Sequence, residues 1–130
     1  MQNKTAIITG SGRGIGKETA IQMAEHVTNV VVCSRTQSEI DSVVKEIENV
    51  NNQVNTLGLK CDVSVSSQVN SLIQLSVDKF GSESIDILVN NAGVVFDKKL
   101  VDTSEDEWDQ TIDTNLKGAY LFTKAVLPHM

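Results

Sequence analysis

Four glycines at alternate positions, Gly10, Gly12, Gly14 and Gly16, follow directly on the short run Thr5 to Thr9, which is rich in β-branched residues. That is how a buried strand enters a tight turn. A helix is expected next, because Ile15, Ala20, Met23, Ala24 and Val27 recur on one stripe at helical spacing. A loop between a first strand and a first helix can aim backbone N–H groups and the positive end of the helix dipole at a pyrophosphate, and glycines let the backbone come close. The strict G-x-G-x-x-G spacing is not kept, since Ile15 stands where the third glycine would fall. The segment reads Thr9-Gly10-Ser11-Gly12-Arg13-Gly14-Ile15-Gly16.

The next apolar run, Val30 to Cys33, ends in Ser34-Arg35. In dinucleotide folds an acidic residue at that place binds the adenosine ribose, whereas an arginine accommodates a 2'-phosphate. No carboxylate occurs until Glu39, and Arg13 in the glycine loop offers a second cation. Two guanidinium forks suit a phosphate, so NADP is expected in preference to NAD. The alternative is that Arg13 and Arg35 are solvated surface charges.

Three later segments complete the set: Cys61-Asp62-Val63, Asn90-Asn91-Ala92-Gly93 and Thr114-Asn115-Leu116-Lys117-Gly118. Together with the T-G-x-x-x-G-I-G loop they resemble the short-chain dehydrogenase/reductase family from Lys4 to Met130, most of all its 3-oxoacyl-[acyl-carrier-protein] reductases. The resemblance implies an NADP-dependent oxidoreductase that interconverts a small-molecule carbonyl and an alcohol by hydride transfer, in a cytoplasmic homo-oligomer when complete. It assigns Gly10, Ser11, Arg13, Gly14, Ile15, Gly16, Ser34, Arg35, Asp62, Val63, Asn91, Ala92 and Gly93 to the cofactor. It also implies that Asn115 belongs to the catalytic set, where an asparagine helps hold a water connected to the active-site lysine. Taken alone, Asp62 is equally a turn acid, and Asn115 a polar break between helices.

Tyr120-Leu121-Phe122-Thr123-Lys124 has the Y-x-x-x-K spacing of the family's acid/base pair. It begins only five residues after Asn115, whereas the family places its pair farther on, after another strand and the serine loop. Tyr120 and Lys124 are therefore expected to be i, i+4 neighbours on an ordinary helix face. Residues 1–130 are read as the N-terminal cofactor-binding portion of a single Rossmann-type domain, truncated after the fourth strand and the two helices that follow it. The fragment is expected to lack the Ser, Tyr and Lys of catalysis, to expose a sheet edge and apolar helix faces, to bind NADP weakly and to turn nothing over alone. A non-catalytic dinucleotide-binding or regulatory module is the alternative.

The elements needed to position these residues are legible as an alternation. Thr36 with Glu39 makes a capping-box pattern ahead of Ile40, Val43, Val44 and Ile47, which recur at i, i+3, i+4 and i+7. Val54 to Cys61 can form a third strand despite Gly58. Val69, Leu72, Ile73, Val77 and Phe80 mark a third helix ended by Gly81. Ile85 to Val89 is a fourth strand, apolar except for Asp86. Ser104 with Glu107 opens a helix through Trp108 and Ile112, and Leu116 to Met130 reads as one more. Strands alternating with amphipathic helices imply an α/β fold with a doubly wound parallel sheet.

With 130 residues, 40% of them hydrophobic, the chain can build one core but not two ordinary domains. A net charge of -6 argues against nucleic acid as a partner. Cys33 and Cys61 match no metal-ligand spacing and are expected to be reduced, buried thiols. No metal is expected, and no run approaches the length needed to span a bilayer, so no membrane partner is expected either.

Overall fold

The computed structural model describes residues 4–81 and 85–130. Strands β1 (Thr5–Thr9), β2 (Asn29–Ser34), β3 (Asn55–Lys60) and β4 (Ile87–Val89) form one parallel sheet in the order β3-β2-β1-β4. Helices α1 (Gly14–Met23), α2 (Gln37–Val50) and α3 (Ser66–Phe80) make the three crossovers, and α4 (Glu105–Ile112) and α5 (Gly118–Val126) follow β4. The chain thus moves outward through β2 and β3, then returns to the other side of β1. This reversal opens a crevice at the carboxyl ends of β1 and β4, the place where such sheets bind ligands.

Both sheet faces are covered, which is why the central strands are apolar without alternation. Ala6, Ile8, Val30 and Val32 pack with Ala20, Ala24, Ile40, Val43 and Ile47 of α1 and α2. Ile7, Val31 and Cys33 point the other way, toward Val69, Leu72 and Ile73 of α3 and Phe122 and Val126 of α5. Burying each valine, leucine, isoleucine or phenylalanine among them is worth about 1.5–3 kcal/mol. Gly58, the weak point of the predicted third strand, has a packing reason: a Cβ there would lie 2.6 Å from Ile40 Cγ2. Asp86, the polar interruption near β4, pairs with Lys4, and its Oδ2 accepts the Thr5 N–H at 2.9 Å. It thereby pins the segment entering β4 to the start of β1.

Four local expectations meet different outcomes. The Ser104–Glu107 capping box forms in both directions, at 3.2 and 3.0 Å. The Thr36–Glu39 box does not form, because the Thr36 N–H is taken by Ser34 Oγ at 3.1 Å and the Thr36 side chain caps nothing. Ile15 leaves the buried stripe of α1 and is 81% exposed in the first turn, although Ala20, Ala24 and Val27 are buried as expected. The last predicted helix is also shorter. α4 runs through a wide π-turn at Asp113–Lys117 into α5, with no polar break between them, and a 3-10 turn containing Pro128 follows at Leu127–His129.

Candidate cofactor site

At the carboxyl ends of the strands lies a cavity of about 370 Å³. It collects four sequence-distant segments: the glycine loop, Ser34 and Arg35 after β2, Asp62 and Val63 after β3, and Asn91, Ala92 and Gly93 after β4. Every residue predicted for the cofactor lines it except Ser11. That side chain is fully buried, its Oγ donating to Ile8 O at 2.7 Å and accepting the Cys33 N–H at 2.9 Å, while its own N–H donates to Cys33 O. Ser11 therefore ties the end of β1 to β2 behind the cavity wall.

The loop geometry follows from its glycines. Gly14 sits at φ +57 with nothing within 4 Å of a Cβ, so the left-handed backbone and open space coincide there. Gly16 is needed for closeness: a Cβ would collide with Asn91 Nδ2 and with Gly10 O. Asn91 is held in turn by Thr9, whose Oγ1 accepts the N–H groups of Asn91 and Ala92 at 3.0 Å each, while Asn91 Nδ2 donates to Thr9 O at 2.9 Å. The β4 loop and the glycine loop thus form one hydrogen-bonded unit.

At the start of α1 the N-terminal N–H groups are left open. The residue before the helix, Arg13, makes no side-chain cap, and the first turn carries no acidic residue. Such an end holds partial positive charge and free donors. Two cations flank it. Arg13 has a side chain 83% exposed and within 4.0 Å of Glu39 Oε1; Arg35 is exposed near Asp62.

Burial would raise the Asp62 carboxyl, but hydrogen bonds from Ser64 Oγ and Ser64 N–H, at 2.6 and 2.9 Å, and the charge of Arg35 together hold it below its ordinary value. Asp62 is thus both a turn acid and a cavity residue. Cys33 and Cys61 are free and buried; burial, aided by the charge of Asp62, pushes the Cys61 thiol up to about 11, and burial raises Cys33 further still. Among the described residues no cluster of His, Cys, Asp and Glu could hold a metal, and no helix is long and apolar enough to cross a membrane.

Asn115 lies in the π-turn, beside the cavity rather than in its wall. Its Nδ2 donates to Val94 O and its Oδ1 accepts the Val94 N–H, both at 2.8 Å. The side chain is therefore committed to holding the loop after β4 against the helices. Tyr120 and Lys124 do meet, Lys124 Nζ donating to Tyr120 Oη at 3.2 Å, but on an exposed face of α5. No residue of α5 lines the cavity. Sequence reasoning did not assign Gly12, Thr36, Glu39, Cys61, Val94 and Thr114, which complete the wall. Glu39 had a usable signal: in the first turn of α2 a side chain leans toward the helix N-terminus, and hence toward the glycine loop.

Residues 4–130 match the family model described as short chain dehydrogenase. The chain belongs to that family. A 3-oxoacyl-[acyl-carrier-protein] reductase, FabG, of Staphylococcus epidermidis is 40% identical over 98% of this chain and 51% of its own length. The (2S)-[(R)-hydroxy(phenyl)methyl]succinyl-CoA dehydrogenase subunit BbsD of Thauera aromatica is 40% identical over 100% of this chain and 51% of its own length. Among solved structures, a metagenomic short-chain oxidoreductase in complex with NADP superposes with a TM-score of 0.90 at 31% identity, covering 100% of this chain and 57% of that one. The chain spans about half the length of the curated relatives it matches. Membership in this oxidoreductase family and the Rossmann-type parallel sheet are thus in agreement with the loop and strand order.

Proposed function

We propose that residues 1–130 form the cofactor-binding portion of an NADP-dependent oxidoreductase that interconverts a carbonyl and an alcohol. The observation that carries this reading is the uncapped, acid-free N-terminus of α1 opening into the cavity beside the glycine loop. The open space at Gly14 suits a pyrophosphate, which would accept hydrogen bonds from the first-turn N–H groups. Asp62 and Val63 suit the adenine end, and Ala92 and Gly93 leave room for a ribose. Arg13 and Arg35 would hold the 2'-phosphate that distinguishes NADP from NAD. When bound, a nicotinamide dinucleotide supplies hydride transfer.

The acid/base role is not assigned to Tyr120 and Lys124, because the cavity takes no residue from α5. Asn115 is assigned a positioning role through Val94. As substrate we propose an acyl group on a carrier: the two curated relatives are named for acyl-carrier-protein and CoA compounds.

The test is a fluorescence titration with NADPH and NADH. Arg35→Asp is expected to weaken NADPH by about 10- to 100-fold, the loss of a charge-assisted contact, while NADH stays within about threefold. Unchanged NADPH affinity in that variant would remove Arg35 from the site, and failure of the unsubstituted protein to bind either nucleotide would remove the reading altogether.

A further inference from the structure

The folded cavity contains a second carboxylate besides Asp62, that of Glu39. Glu39 follows Arg35 by four residues, in the first turn of α2, and is half-buried in the cavity wall with Gly12, Ser34 and Thr36. Two neighbours locate it. Oε1 is 4.0 Å from Arg13 Nη1, and Oε2 lies where a Cβ on Gly12 would approach to 2.7 Å. The carboxylate is free to stand there because the capping box with Thr36 does not form; Ser34 Oγ has taken the Thr36 N–H instead.

Arg13 thus has an ion-pair partner that belongs to the same cavity. A 2'-phosphate arriving between Arg13 and Arg35 must draw Arg13 away from Glu39 and then sit near a fixed negative charge. NAD, which presents a hydroxyl at that position, meets no such opposition, and a carboxylate can accept its hydrogen bond. We propose that Glu39 is a specificity-determining residue of this cavity, restraining the preference for the 2'-phosphorylated nucleotide that Arg13 and Arg35 alone would produce. This rests on the cofactor assignment above and deepens it.

Glu39→Gln keeps the shape of the side chain and removes its charge. The Arg13–Glu39 pair is solvent-exposed on the arginine side, so the effect is moderate: NADPH affinity should rise by about three- to tenfold, with NADH unchanged or weaker. The measurement uses the protein as its gene encodes it, with far-UV circular dichroism to confirm that the variants are folded. In an Arg13→Ala background the gain from Glu39→Gln should be smaller than in the unsubstituted protein, since the ion pair is gone and only the repulsion between carboxylate and phosphate remains to be relieved.

An unchanged or lower ratio of NADPH to NADH affinity in Glu39→Gln would overturn the proposal while leaving the cofactor assignment in place. A gain that persists undiminished without Arg13 would overturn the coupling on which it depends. If the unsubstituted protein binds neither nucleotide, the cofactor assignment fails and this inference falls with it.

Discussion

Single side chains in this site serve two purposes, and Asp62 shows how. Its carboxylate lines the cavity and also accepts both the hydroxyl and the amide of Ser64 ahead of α3. Since the folded carboxyl is held below its unfolded value, it stabilises the fold at neutral pH, and that contribution is lost as pH falls from the ordinary carboxylate range through the folded value. A carboxyl NMR titration should therefore place the Asp62 midpoint below 3.8, and Ser64→Ala should move it up. An unmoved midpoint in that variant would show that Ser64 is not what holds it down. The sequence leaves both readings of Asp62 open; the structure shows the turn acid and places the same carboxylate in the cavity wall. Glu39 is harder to read, because it stands four residues beyond Arg35 along the chain while the fold returns it to the cavity.

At the scale of elements, the strands and the core helices were the most legible parts. β1 and β2 are buried on both faces, so continuous apolar runs identify them without ambiguity. Terminal turns are less legible, because two side chains can compete for one amide, as Ser34 displaces Glu39 at the Thr36 N–H. Ile15 fits a helical stripe by spacing alone, yet the first turn of α1 faces a cleft. The π-turn resembles a polar break at Asn115, since nothing in Asp113–Lys117 distinguishes a widened turn from an ended helix.

The packing of α1 against the β4 loop is the element-scale feature most open to test. Gly16→Ala gains helix propensity worth about 1 kcal/mol, but its methyl would collide with Asn91 and a backbone carbonyl, an overpacking cost of about 1–3 kcal/mol that a fixed backbone cannot relieve cheaply. The urea midpoint should fall and NADPH binding should weaken with it. A midpoint equal to or above that of the unsubstituted protein would mean that the loop and α1 are less tightly joined than their geometry implies.

For the molecule as a whole, strand order decides where function can reside. The reversal between β1 and β4 gathers four loops into one cavity, and both arginines of an acidic protein line it. Outside the cavity, Leu116, Tyr120 and Leu127 are exposed around α5, on a chain that spans about half the length of its relatives. Apolar surface of that kind favours association. The most direct test of the central claim is a ¹⁵N–¹H correlation spectrum recorded while NADPH is added. Amide shifts concentrated at Gly10–Gly16, Ser34–Arg35, Asp62–Val63 and Ala92–Val94 are predicted; shifts absent there, or centred on the exposed face of α5, would contradict it.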